Sequence, residues 1–207
     1  MWRLFVPLKY LLIRHPEKAK FDVVFPIFFA CAFLLPTLSA DFRQAAVTSI
    51  DLLGRSSDLL SILTGFFVAA LAAVATFGGD EMNETMPGHP PVTLPDPIRP
   101  GEPEKLSRRR FLSFLFGYLA FLSLALYLVG FVYFGLQTYV IAKYAPDWVT
   151  FSFVVFWGIY GVALGNLLAN TLLGLFYLTD RIHRPNKKIY SNKVSEADQI
   201  KSEKELV

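Results

Sequence analysis

The stretch VTFSFVVFWGIYGVALGNLLANTLLGLFYL, residues 149–178, decides the fold of this chain. It contains no Asp, Glu, Lys, Arg or His. About 20 apolar residues in helical conformation cross a bilayer core, so this stretch predicts a transmembrane helix. Three further apolar stretches, at residues 23–40, 59–77 and 111–141, predict the same. The chain is therefore expected to be an all-α integral membrane protein with four transmembrane helices.

Positive charge is distributed unevenly between the two sides of these helices. With a cytoplasmic N-terminus, the inside segments 1–22, 78–110 and 179–207 carry 5, 5 and 7 Lys or Arg residues. The outer side keeps Arg43, Arg55 and Lys143. Because cytoplasmic segments of membrane proteins are rich in Lys and Arg, both termini are predicted to be cytoplasmic.

Composition and spacing exclude several classes of function. Hydrophobic residues make up 54% of the chain, more than a soluble domain of this size buries. The single cysteine, Cys31, cannot form an intrachain disulfide. No metal-ligand spacing, phosphate loop or nucleophile motif is present in the sequence. We therefore expect no metal, no cofactor, no direct nucleic-acid binding and no enzymatic activity.

The order of apolar and polar segments divides the chain into five parts. They are a cytoplasmic interfacial segment (1–20), a transmembrane hairpin (21–77) with a short amphipathic extracellular helix (41–54), a Pro-rich cytoplasmic linker (78–110), a long transmembrane hairpin between the third and fourth helices (111–178), and a charged cytoplasmic tail (179–207). Gly54 is predicted to end the amphipathic helix.

Two of these segments have unusual lengths or compositions. The linker holds seven prolines, which favour extended, polyproline-like backbone. The third and fourth helices would each be about 45 Å long, against a hydrocarbon core of about 30 Å. They must tilt or project, and the basic residues at their cytoplasmic ends are expected to direct the excess length outward.

Small residues recur every three or four positions in two of the helices. The last helix carries Gly158, Gly161, Gly165 and Ala169, and the second carries Gly65 and Ala69. Small residues let helix backbones approach closely in a membrane. The pattern predicts close packing within a protomer, between protomers, or both, and we expect a homo-oligomer.

Polar residues within the last apolar stretch are limited in number. Asn166 and Asn170 lie four residues apart, on one helix face, and Thr171 follows. Amides at this depth need partners, so they line a wet pore or form hydrogen bonds between helices. Interhelical hydrogen bonds are the commoner arrangement, and we favour them.

Basic residues flank the second hairpin. They are Arg108, Arg109 and Arg110 before it, and Arg181, Arg184, Lys187 and Lys188 after it. At a cytoplasmic membrane face such residues are expected to contact anionic headgroups or a protein partner.

Three features together carry a resemblance to a known family: the run LLSILTGFFVAALA at residues 59–72, the Pro-rich linker, and SRRRFLS at residues 107–113. Over about residues 20–180 the chain resembles the small four-span membrane proteins of bacterial antiphage defence loci, most of all the membrane component of Kiwa systems. The resemblance implies an oligomeric sensor in the bacterial inner membrane that perceives envelope disturbance and communicates with a cytoplasmic partner.

The expected function is therefore a non-enzymatic sensor or anchor subunit that recruits a cytoplasmic protein. The alternative is a pore-forming channel or membrane-depolarising effector, in which Asn166, Asn170 and Thr171 would line the path.

Overall fold

The structure, a computed structural model, describes residues 2–13, 18, 20–76, 80–86, 92–95, 103–144 and 146–181. Helices account for most of them. The α-helices are α1 (Phe25–Thr37), α2 (Ala40–Thr48), α3 (Leu52–Thr76), α4 (Asp80–Asn83), α5 (Arg108–Gly135), α6 (Ala142–Tyr144) and α7 (Val149–Phe176). There are 3-10 helices at Trp2–Leu12, named the N-terminal helix below, and Pro146–Trp148. π-Helical turns occupy Lys20–Val24, Leu136–Ile141 and Tyr177–Arg181, and two strands are β1 (Thr93–Leu94) and β2 (Glu104–Lys105).

Four helical segments are long and apolar enough to cross a membrane. They are Lys20–Thr37, Leu52–Thr76, Arg108–Ile141 and Val149–Thr179. This supports the predicted four-helix, multi-pass class. The segments pack antiparallel along the chain, and the end of the bundle that holds Lys20, Thr76, Arg108 and Thr179 is named the basic end. The opposite end is named the far end.

The glycines of α7 form a groove that α1 fills. A Cβ atom on Gly165 would lie 2.8 Å from Phe29 Cβ and 3.0 Å from Pro26 Cα, and one on Gly161 would lie 3.4 Å from Ala30 Cα. Gly158 faces Leu34 in the same way. Small residues here allow close backbone approach and many dispersion contacts. This ridge is therefore used within the protomer.

The small residues of α3 have the opposite environment. α3 packs on α5 through its buried residues Leu60, Phe67 and Val74, and the Thr64 and Ser123 hydroxyls lie 2.8 Å apart between the two helices. Gly65 and Ala69 are exposed on the other face. Among the described residues outside its own helix turn, no atom lies within 4 Å of a Cβ built on Gly65, so α3 is open at this position.

The connection between α1 and α3 corrects the predicted helix boundary. α2 ends at Thr48, and Gly54 lies inside α3 instead of ending the amphipathic helix. The chain breaks at Asp51, whose φ of 48° is in the left-handed region that Asp tolerates better than most residues. The Asp51 carboxylate accepts a hydrogen bond from the Gly54 N–H at 3.2 Å, which caps α3.

The described part of the Pro-rich linker contains paired strands, where the sequence favours extended, polyproline-like backbone. β1 and β2 pair antiparallel, with Thr93 opposite Lys105, and Thr85 bridges Ser107. Residues 80–86, 92–95 and 103–107 are named the linker module. Its buried apolar residues are Met82, Met86, Val92, Leu94 and Leu106.

The first half of α5 is more deeply buried than its second half. No residue from 111 to 123 is exposed, whereas large exposed apolar side chains begin at Leu124. The N-terminal helix contributes to this burial through ring contacts of Phe5 with Phe121, at 6.4 Å, and of Tyr10 with Tyr118, at 5.0 Å. Phe121 lies about 20 Å along α5 from Arg108. The protein that packs around the long hairpin thus lies at the basic end.

Gly165→Ala tests the packing of α1 on α7. The added Cβ would clash with Phe29 and Pro26, so we expect a loss of about 1–3 kcal/mol of stability, read as a lower thermal unfolding midpoint in a fixed detergent. Gly135→Ala, at the end of α5, is the matched control. It meets open space and should not lower the midpoint, because Ala is the better helix former. Equal midpoints for Gly165→Ala and wild type would contradict the packing.

Candidate functional site

Polar side chains from four parts of the chain meet at the basic end of the bundle. They come from the N-terminal helix, from the chain at the start of the first long helix, from α5 and from α7. This set, named the Asp22 cluster, consists of Tyr10, Lys18, Asp22, Tyr118, Asn166 and Asn170.

Asn170 connects the N-terminal helix to the start of the first long helix. Its Oδ1 accepts a hydrogen bond of 2.6 Å from the Tyr10 hydroxyl, and its Nδ2 donates to Asp22 Oδ1 at 3.1 Å. Tyr10 and Asn170 are both completely buried. A buried amide that loses such partners is destabilising, so these bonds hold the three segments in register.

Asn166 makes an equivalent connection to α5. Its Oδ1 accepts a 2.8 Å hydrogen bond from the Tyr118 hydroxyl, and its Nδ2 donates to the Asp22 carbonyl oxygen at 3.3 Å. The structure therefore brings together both asparagines singled out in the sequence. Thr171 lies outside this set, because its hydroxyl donates to the Leu167 carbonyl of its own helix at 2.6 Å.

The cluster contains one ion pair. Lys18 Nζ lies 2.5 Å from Asp22 Oδ2, and it also lies 4.4 Å from the centroid of the Tyr10 ring. The two charged side chains are only 11% and 16% exposed. Opposite charges this close make the pair neutral, which reduces the cost of keeping it out of water.

Tyr10 is held as the neutral phenol. Burial, and then the neighbouring Asp22 carboxylate, raise the pKa of Tyr10 above its usual range. Its hydroxyl therefore remains a hydrogen-bond donor to Asn170 throughout the physiological pH range. Because the unfolded chain would ionise first, this contribution to stability is present below about pH 10 and is lost as the pH rises further.

A small cavity of about 50 Å³ adjoins the Asp22 cluster. Its walls come from the N-terminal helix and the residue after it, the start of the first long helix, the linker module, α5, and the basic end of α7. The lining residues are Tyr10, Ile13, Lys18, Phe21, Val92, Phe111, Leu173 and Tyr177. Lys18 is the charged residue of this set, and most of the lining is apolar.

The three arginines that precede the third helix have partners within the protomer, and their predicted contacts with lipid or a protein partner stay a prediction. Arg108 is buried and lies 3.3 Å from Glu84. Arg109 donates to the Ala75 carbonyl at 3.2 Å, at the basic end of α3. Arg110 pairs with Glu104, and its guanidinium lies 5.7 Å from the Phe114 ring centroid.

These partners explain why the positions are basic. Arg109 supplies a cation at a helix C-terminus, where carbonyl groups lack helical partners. Arg108 and Arg110 hold the linker module against α5. The predicted contact residues Arg184, Lys187 and Lys188, and the side chain of Arg181, lie outside the described part of the structure.

The far half of the bundle is aromatic and contains no comparable cluster among the residues described. The Tyr133 and Phe156 rings stack at 3.5 Å between α5 and α7, and Trp157 contacts Phe33 of α1. Ser152 donates to Gln137 at 2.9 Å near the turn of the hairpin. This half joins the helices mainly by apolar packing.

The described residues offer no cluster of metal ligands. They contain no group of three or more His, Cys, Asp or Glu that could hold a metal ion. The single carboxylate of the Asp22 cluster is already engaged by Lys18 and Asn170. The arrangement is suited to joining segments and to binding at the adjacent cavity.

The sequence did not identify four of the six cluster residues. Asn166 and Asn170 stood out because amides are rare in apolar stretches, whereas Tyr10 and Tyr118 were two of nine tyrosines. Lys18 and Asp22 have the i, i+4 spacing of a helical ion pair, which could have indicated their pairing. Their contact with α7 depends on partners about 150 residues away in the chain.

Comparison with protein-family models, with curated proteins and with solved structures found no match.

Tyr10→Phe tests the link between the N-terminal helix and α7. Removal of the hydroxyl leaves Asn170 Oδ1 without its donor, so we expect a loss of about 1–3 kcal/mol of stability, seen as a lower thermal midpoint in detergent. Tyr139→Phe is the control, because Tyr139 is 73% exposed near the far end. A midpoint for Tyr10→Phe equal to that of Tyr139→Phe would refute the link.

Proposed function

We propose that this protein is a non-enzymatic, multi-pass membrane anchor that binds a cytoplasmic protein at its basic end. The observation that carries the proposal is the folded layer at this end. The N-terminal helix, the linker module and the first half of α5 pack together there, and no residue from 111 to 123 is exposed. A helix that only crosses lipid has no need of such a cover.

The length of the first long helix supports a position for the membrane. The segment Lys20–Thr37 has 18 residues and is about 27 Å long, close to the hydrocarbon thickness of about 30 Å. One membrane face then lies near Asp22, level with Asn166 and Asn170. The N-terminal helix, the linker module and the basic ends of α5 and α7 extend from this level into the headgroups and beyond.

Charge supports the orientation. The segments that leave the basic end hold 17 of the 20 Lys and Arg residues, from the counts of 5, 5 and 7 above. The positive-inside rule relates such an end to the cytoplasm. We propose the bacterial inner membrane, with both termini inside, as the location.

The Asp22 cluster supports a route by which a membrane event would reach this layer. Asp22 lies at the start of the first long helix and binds Asn170, which in turn binds Tyr10 of the N-terminal helix. A tilt of α1 would directly strain the hydrogen bonds that join Asp22, Asn170 and Tyr10. On the resemblance to Kiwa membrane components, we propose that the event is a disturbance of the envelope during phage attachment.

The same contacts favour an anchor over the alternative of a pore. Asn166 and Asn170, the predicted lining residues, use their side-chain amides to bind Tyr118, Tyr10 and Asp22. Groups that are engaged in this way are not available to solvate an ion.

A partner-binding test uses exposed positions of the linker module. Thr85→Glu with Lys105→Glu changes the charge of this surface without touching its buried residues. We expect wild type to co-purify a stoichiometric soluble protein from mild detergent and this variant to lose it. Removal of residues 191–207 should have a similar effect if the tail contributes.

The matched control for the partner test places charges at the far end. Asp41→Lys with Gln44→Lys alters two exposed residues of α2 and should retain the partner. All variants should remain in the membrane fraction. A wild-type protein that purifies without a soluble partner would overturn the anchor proposal.

We also propose a homo-oligomer, formed through the free face of α3 that carries Gly65 and Ala69. In a Cys31→Ser background, Ala69→Cys should form thiol cross-linked dimers in native membranes, because small residues allow this face to approach its copy. Leu124→Cys, exposed on α5, is the control and should stay monomeric on the gel. Equal cross-linking of both positions would argue against this interface.

A further inference from the structure

We propose that the cavity beside the Asp22 cluster binds one phospholipid of the cytoplasmic leaflet, with the lipid phosphate at Lys18 and part of an acyl chain among Phe21, Phe111 and Leu173. The proposal rests on the membrane insertion proposed above. It adds a specific lipid site to a protein for which only general contact with the bilayer was expected.

The cavity lies where several separate segments of the chain meet. Ile13 follows the N-terminal helix, Phe21 belongs to the first long helix, Val92 belongs to the linker module, and Leu173 belongs to α7. Ligand sites are concave, mostly apolar, and frequently formed where separate elements meet. A ligand here would touch each of these segments at once.

The chemistry of the lining fits an amphiphile with a phosphate. Lys18 is the charged lining residue, and its ammonium group has three donors, of which one is directed at Asp22. A phosphate oxygen can accept from the others. Phe21, Phe111 and Leu173 provide an apolar surface suited to hydrocarbon.

The depth of the cavity fits the glycerol and phosphate region. Phe111 lies one helical turn from Arg108, and Tyr177 stands near the basic end of α7, with their rings 5.2 Å apart. Aromatic rings are typical of this interfacial depth. Leu172, which precedes the lining residue Leu173, is 59% exposed and therefore offers a matched position outside the cavity.

Leu173→Trp tests the site by filling the cavity, and Leu172→Trp is the matched control that places the same ring outside it. Each protein is purified in mild detergent and its retained phospholipid is counted by native mass spectrometry. We expect about one lipid per wild-type protomer, the same for Leu172→Trp, and an occupancy at least tenfold lower for Leu173→Trp.

A second variant protects the test against misfolding. Ile13→Trp fills the cavity from the opposite segment and should give the same loss, with thermal midpoints reported for all proteins. Water-soluble glycerophosphate, which lacks acyl chains, should not displace the retained lipid. Absence of retained lipid in wild type, or equal retention in all three variants, would overturn the proposal.

A separate experiment distinguishes failure of the proposed membrane insertion from failure of the proposed lipid site. Carbonate-washed membranes should retain wild type and every variant, whatever their lipid content. Protein released by the wash would refute membrane insertion itself, whereas retained protein without bound lipid would refute only the site.

Discussion

The hydrogen bonds of Asn170 are the contacts on which the basic end of this molecule depends. One amide binds Tyr10 of the N-terminal helix and Asp22 at the start of the first long helix. In a region shielded from water, each of these groups would be costly without its partner. This connection helps to position the N-terminal helix and the walls of the neighbouring cavity.

The small residues of α3 and α7 demonstrate what sequence periodicity can and cannot predict. Both helices carry small residues at four-residue spacing, and both patterns correctly indicate helices. Yet Gly165 meets Phe29 and Pro26 of α1, whereas Gly65 meets nothing within 4 Å. The periodicity of small residues indicates that one face of a helix is flat. The identity of its partner depends on which helices become neighbours, and this is decided by contacts distant in sequence.

The number of basic residues at each end of the bundle could be predicted from the sequence, but the contacts that they make could not. The count of basic residues indicates which end of the bundle is rich in positive charge, and four apolar stretches predict the four long helices. Arg108 nevertheless lies buried against Glu84, and Arg109 binds the Ala75 carbonyl. These roles exist because the linker folds back as a paired module on α5. The many prolines of the linker indicate extended backbone and gave no sign of strand pairing. Pro95 and Pro103, however, flank the strands and leave their pairing intact.

The distance in sequence between the partners of the Asp22 cluster constrains how the chain is made. Tyr10 and Asn170 are separated by 160 residues, and Asp22 and Asn170 by 148. A ribosome adds about 5–20 residues per second, so the nascent N-terminal segment waits on the order of ten seconds for its amide partner. The cluster is therefore completed only after the fourth helix has been synthesised. Nascent chains truncated before Asn170 would leave the Lys18–Asp22 ion pair without the hydrogen bond from its amide.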